Sequence, residues 1–92
     1  MVVINKHSSY ESQLSAIADS DGTKFELLSM IIDWGLQKID NLKDDFLFQL
    51  EIRENIYVME IKESVHFENR LMVMFEYFRG TNTLTLLSVR VK

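Results

Sequence analysis

The chain has 92 residues, 47% of them hydrophobic and 26% charged, with no cysteine and no proline. That is the length of one domain with apolar content enough for a core, which excludes a disordered chain, and the absence of thiols excludes a disulfide framework or a thiolate metal site. The net charge of −4 excludes a broadly basic nucleic-acid binder, but it is spread unevenly: residues 1–45 hold four lysines against eight Asp and Glu, whereas residues 70–92 hold Arg70, Arg79, Arg90 and Lys92 against Glu76 alone.

In chain order, Val2-Val3-Ile4 reads as a short β-branched strand. Ser8-Ser9-Tyr10-Glu11 matches a capping box, and Tyr10, Leu14 and Ile17 follow at helical spacing until Asp19-Ser20-Asp21-Gly22 stops the helix. Thr23-Lys24-Phe25-Glu26 is a second capping box. Behind it Phe25, Leu28, Ile32, Leu36 and Ile39 form one stripe that Leu27, Ile31 and Trp34 widen, and so broad an apolar face predicts contact with both a sheet and a neighbouring helix. Gly35 inside this helix suggests close packing or a weak point, and the helix is expected to end near Asn41.

From Phe46 the apolar period changes from 3.6 to 2. Strands are expected over Phe46–Arg53, from Tyr57 through Lys62, over Arg70–Phe78 and over Thr83–Val91, with a looser connection from Glu63 to Asn69 and a hairpin turn at Arg79-Gly80-Thr81-Asn82. The reading is a single α+β domain over residues 1–92: a short strand, two helices, then an antiparallel meander of three to four strands, with Arg70–Phe78 central. No basic segment followed by a long apolar run opens the chain, and no stretch approaches the ~18 apolar residues of a membrane span, so a cytoplasmic chain without membrane contact is expected.

Chemistry is sparse. His7 and His66 stand far apart, and Asp40 with Asp44-Asp45 lacks the ligand spacing of a calcium loop, so neither a metal nor a cofactor is expected. Met59, Met72 and Met74 read first as core filler, although Met72, Met74 and Phe78 on an exposed strand face would make an adaptable binding surface, with Arg79 and His66 beside it. Arg70, Tyr77, Arg79, Arg90 and Lys92 lie on or next to two strands expected to pair. Forked donors there could converge on a phosphate with a tyrosine or histidine to move protons, or they are the surface charge that keeps a sheet soluble.

The second half, Ile56-Tyr57-Val58-Met59-Glu60-Ile61-Lys62, then Arg70 to Phe78, then Gly80 to Lys92 ending Leu86-Leu87-Ser88-Val89-Arg90-Val91-Lys92, resembles the sheet of the RelE/ParE toxin superfamily, with the HigB-like and BrnT-like branches nearest in rhythm. The resemblance covers residues 55–92 by pattern and the rest by element order. It implies a ribosome-dependent messenger-RNA endonuclease toxin neutralised by an antitoxin, with Arg90 and Lys92 as anion-binding residues and Arg70 and Tyr77 on the strand before. Ser88 stands where the HigB-like pattern often has histidine, and Met72 and Met74 where arginine is common, so the chain departs from the family at positions tied to cleavage.

Two functions follow as expectations. The first is a non-enzymatic binding or inhibitor module, of the kind carried by phages and plasmids, that occupies the surface of a partner protein. The second is the RelE-like toxin, with RNA or the ribosome as partner. A homodimer through the strand face of Met72, Met74 and Phe78 is compatible with either.

Overall fold

The computed structural model describes residues 2–41, 49–62 and 70–91. Strand β1 (Val3–Lys6) leads into helix α1 (Ser8–Ile17) and helix α2 (Gly22–Gln37), which continues as a 3-10 turn over Lys38–Asn41. Strands β2 (Glu51–Arg53), β3 (Ile56–Lys62), β4 (Arg70–Phe78) and β5 (Thr83–Val91) follow. The α+β order expected from the sequence is the order observed, with β4 central. The sheet has five strands rather than three or four, in the order β1-β5-β4-β3-β2, because β1 joins it parallel to β5 while the other pairs are antiparallel.

Both helix starts fall upstream of the expected capping boxes. The His7 backbone N–H donates to Leu86 O at 2.9 Å, which prolongs the β1 ladder and holds His7 extended. Its Nδ1 then accepts from the Ser9 N–H, so His7 rather than Ser8 caps α1. Asp21, also extended, caps α2 by accepting from the N–H groups of Thr23 (3.0 Å) and Lys24 (3.2 Å), where its charge also suits the positive end of the helix. The turn between the helices places Asp19 and Ser20 at positive φ, a conformation that short polar side chains tolerate.

The expected strand over Phe46–Arg53 is shorter in the fold. Gln49 and Leu50 are helical, only Glu51–Arg53 pairs with β3, and residues 46–48 lie outside the described part. Tight turns at Asn55 and Asn82, both at positive φ, then join the antiparallel strands β2–β3 and β4–β5.

The helices cover one face of the sheet. Leu71, Val73, Phe75 and Tyr77 of β4 point into that interface and meet Tyr10, Leu14, Leu28, Ile32 and Leu36 in one buried core. Tyr57 stacks on Phe75 with ring centroids 5.5 Å apart and meets Tyr77 edge-on at 6.3 Å. Strand β5 keeps its apolar side inward through a bulge: Met74 pairs with Ser88 but Phe75 with Leu86, which leaves Leu87 as the extra residue. Leu84, Leu86 and Val89 are therefore all buried although the spacing changes from two to three, and Ser88 and Arg90 turn to the other face.

Candidate functional site

The face of the sheet away from the helices is only half-shielded. It carries Arg70, Met72, Met74 and Glu76 of β4, and the pairing register sets Glu60 and Arg90 on either side of Met72, and Val58 and Ser88 on either side of Met74. The β4–β5 register thus brings two of the arginines singled out in the sequence to one face, as diagonal neighbours. Their states differ. Arg70 Nη1 is 2.9 Å from Glu60 Oε1, whereas Arg90 is exposed and has no ion pair among the described residues. A trough starts at Arg90, a depression of about 110 Å³ lined by Ile52, Val58, Met72, Met74, Ser88 and Arg90. It adjoins a wider one of about 370 Å³ where Gln13 of α1 reaches the end of β5. Gln13 accepts from the Val89 N–H at 2.8 Å, and Ser9 Oγ donates to Leu87 O at 2.9 Å, so α1 side chains satisfy β5 beyond the end of β1.

Tyr77 lies elsewhere. It is on the helix-covered face, buried, with its hydroxyl 3.1 Å from Asn82 Oδ1. Alternation along a strand sends successive side chains to opposite faces, so Tyr77 shares no surface with Arg70 and Arg90. Arg79 and the exposed Phe78 sit at the β4–β5 turn, where they line a depression of about 540 Å³ with Asn55, Tyr57, Gly80 and Thr81. Arg79 is seven positions along from Met72, the partner of Arg90, or roughly 23 Å. Burial chiefly, then the Glu51 carboxylate, raises the Tyr57 hydroxyl pKa above its ordinary value, and Arg79 acts in the opposite sense. The fold therefore distributes Arg70, Arg90, Tyr77 and Arg79 over two faces and both ends of the sheet. His66 and Lys92 lie outside the described residues.

A second surface was not separated from the core by sequence reasoning. On α2, Leu28, Ile32 and Leu36 are fully buried, whereas Leu27 is 41% exposed, Met30 68% and Trp34 69%. The three exposed residues recur at three- and four-residue intervals, which at 100° per residue is a stripe on the outward side of the helix, with Ile31 half-buried at its margin. Lys38 Nζ stands 3.9 Å from the Trp34 ring centroid and covers part of the indole. The broad apolar face expected to pack on both a sheet and a helix is thus two stripes, of which one is packed. The signal that divides them is the polar row Ser29, Asp33, Gln37. Lys6 Nζ bonds Ser29 Oγ (3.0 Å) and Asp33 Oδ2 (3.1 Å), and the Gln37 amide brackets Val2, so this row faces β1 and fixes the rotation of the helix.

A depression of about 750 Å³ at the turn between the helices includes Asp21, whose carboxylate is already engaged in capping α2. Beneath α1, the Tyr10 hydroxyl is buried without a hydrogen-bond partner among the described residues, and burial followed by the Asp33 carboxylate pushes its pKa well up. Among the described residues no group of three His, Asp or Glu could hold a metal ion, and no helix is long and apolar enough to cross a membrane. No family model matches the chain, and no curated protein or solved structure matches it.

Proposed function

We propose that this chain is a small non-enzymatic protein-binding module, of the inhibitor type encoded by phages and plasmids, that works by occupying a partner's surface. The observation that carries this reading is the outward stripe of α2. Three large apolar side chains, one of them the only tryptophan, stand together on one rigid helix at 41% to 69% exposure. Fully burying such a side chain is worth about 1.5–3 kcal/mol, and tryptophan is among the residues that most often dominate an interface. Affinity capture with the wild-type chain and with a Met30→Ala, Trp34→Ala double variant tests it. A stoichiometric partner retained by the first and lost by the second is the expected result. Equal capture by both, or none by a wild-type chain that sediments as a monomer, would remove the stripe as an interface.

A second reading, the RelE-like endonuclease toxin, is favoured by one observation, the placement of Arg70 and Arg90 on a single face, and disfavoured by the placement of Tyr77 on the other. Inducible expression in a bacterial host decides between the two. Growth arrest with cleaved ribosome-bound messenger RNA, abolished by Arg90→Ala, establishes the toxin; normal growth with intact RNA removes it.

A further inference from the structure

We propose that the trough on the open face of the sheet receives an apolar segment of a partner protein and holds it through a single carboxylate placed on Arg90. This surface is separate from the α2 stripe, since the sheet and the helix layer lie between them, and the proposal stands whether or not the stripe is an interface.

The chemistry of the lining selects the occupant. The floor is aliphatic and thioether: Ile52, Val58, Met72 and Met74. Methionine side chains adapt to irregular apolar shapes, which suits a peptide side chain better than a flat base. Each polar group at the β5 side can donate. Arg90 offers its guanidinium free of any carboxylate among the described residues, Ser88 its hydroxyl, and Gln13 its amide nitrogen once its oxygen is taken by the Val89 N–H. A set of donors at the rim of an apolar floor calls for an acceptor carrying negative charge, and a carboxylate matches the guanidinium fork in two parallel hydrogen bonds.

The same face argues against a polyanion. Arg70 is already neutralised by Glu60 at 2.9 Å, Glu76 lies further along the same side of β4, and the whole chain carries −4. A nucleic-acid backbone would bring several phosphates to a surface whose described side chains include one cation outside an ion pair and two carboxylates, and affinity for nucleic acid rises with the number of phosphates that protein cations neutralise. One negative charge within an apolar segment avoids the two carboxylates and uses the donors on the β5 rim.

The five methionines supply the readout. Selection of a displayed library of 12-residue peptides on the immobilised chain, followed by methyl NMR of methionine-labelled protein with the enriched peptides, is the experiment. The expected peptides carry one Asp or Glu among apolar residues. They shift the methyl signals of Met72 and Met74 while leaving Met30 in place, lose at least tenfold in affinity to Arg90→Gln, and recover part of it in Arg90→Lys. Unchanged methyl signals of Met30 and Met59, which lie away from the trough, report that Arg90→Gln is folded. Enriched peptides without an acidic residue, affinity unchanged in Arg90→Gln, or shifts confined to Met30 would each overturn the proposal. So would a failure to enrich any peptide, or a single-stranded RNA oligonucleotide that moves Met72 and Met74 where the peptides do not.

Discussion

On α2, Leu28, Ile32 and Leu36 are fully buried against the sheet, while Leu27, Met30 and Trp34, interleaved with them along the same 16-residue helix, stand 41% to 69% exposed. Hydrophobicity does not separate the two groups; rotation does. Ser29, Asp33 and Gln37 form the polar row that Lys6 and the Val2 backbone engage, and with that row fixed on β1, one apolar stripe must face the sheet and the other must face away. An apolar residue on a helix is thus core or surface according to a few hydrogen bonds on its flank. A surface stripe that a chain could have filled with charge at no loss to its fold is a candidate for use.

The largest test of this contrast compares Ile32→Ala with Met30→Ala. The first empties a fully buried site and is expected to cost about 2–5 kcal/mol, the second to stay within about 0.5 kcal/mol, both read by urea unfolding. A large loss in Met30→Ala would show that the outward stripe is covered by the chain itself.

Alkaline titration probes the packed side. The Tyr10 hydroxyl ionises above its ordinary value in the folded chain, so the unfolded state, ionising near pH 10, releases its proton first. Stability is therefore complete below about pH 10 and falls as the pH rises beyond it, at a limit of about 1.4 kcal/mol per pH unit for this group. Tyr57, also raised, adds in the same direction. Tyr10→Phe is expected to flatten the decline above pH 10 and, because the buried hydroxyl has no hydrogen-bond partner among the described residues, to cost little at neutral pH. An unchanged alkaline profile in Tyr10→Phe would place the sensitivity elsewhere.

Gln37→Ala removes the side chain that brackets Val2 and is expected to cost about 1 kcal/mol by thermal or urea unfolding. If the polar row sets the rotation, this variant also makes Trp34 emission and quenching by acrylamide differ from wild type. The smallest effect is a gain. Gly35 lies where the two stripes meet, and a Cβ there would sit 3.7 Å from Ile61 Cδ1, an ordinary contact. Gly35→Ala is expected to stabilise by about 0.5–1 kcal/mol, and a loss of stability would mean that α2 approaches β3 more tightly than this distance indicates.

The candidate site divides along the same line. That Arg70, Met72 and Met74 share a strand face could be read from alternation alone, and so could the separation of Tyr77 from them, because 70, 72 and 74 are even and 77 is odd. The placement of Arg90 could not. Leu84 and Leu86 are buried, and unbroken alternation would have turned Arg90 inward with them; the bulge at Leu87 reverses the parity. Nothing in Leu86-Leu87-Ser88 announces it, since the extra residue is fixed by pairing with β4 and by the Ser9 and Gln13 side chains of α1. The caps show the same dependence: Ser8 and Thr23 fit a capping pattern, yet His7 is held extended by Leu86, 79 residues away, and the helix starts behind it.

By itself the sequence determined the element order, the alternation along β3 and β4 and the existence of a strongly apolar second helix, because these rest on local periodicity that any compact arrangement must respect. Only the tertiary structure decided that β1 pairs parallel with β5, that α2 turns Leu28 inward and Trp34 outward, and that Arg90 reaches the open face with no ion pair among the described residues while Arg70 is held by Glu60. Those outcomes depend on contacts between residues far apart in the chain, whose free energy exists only once the layers have met.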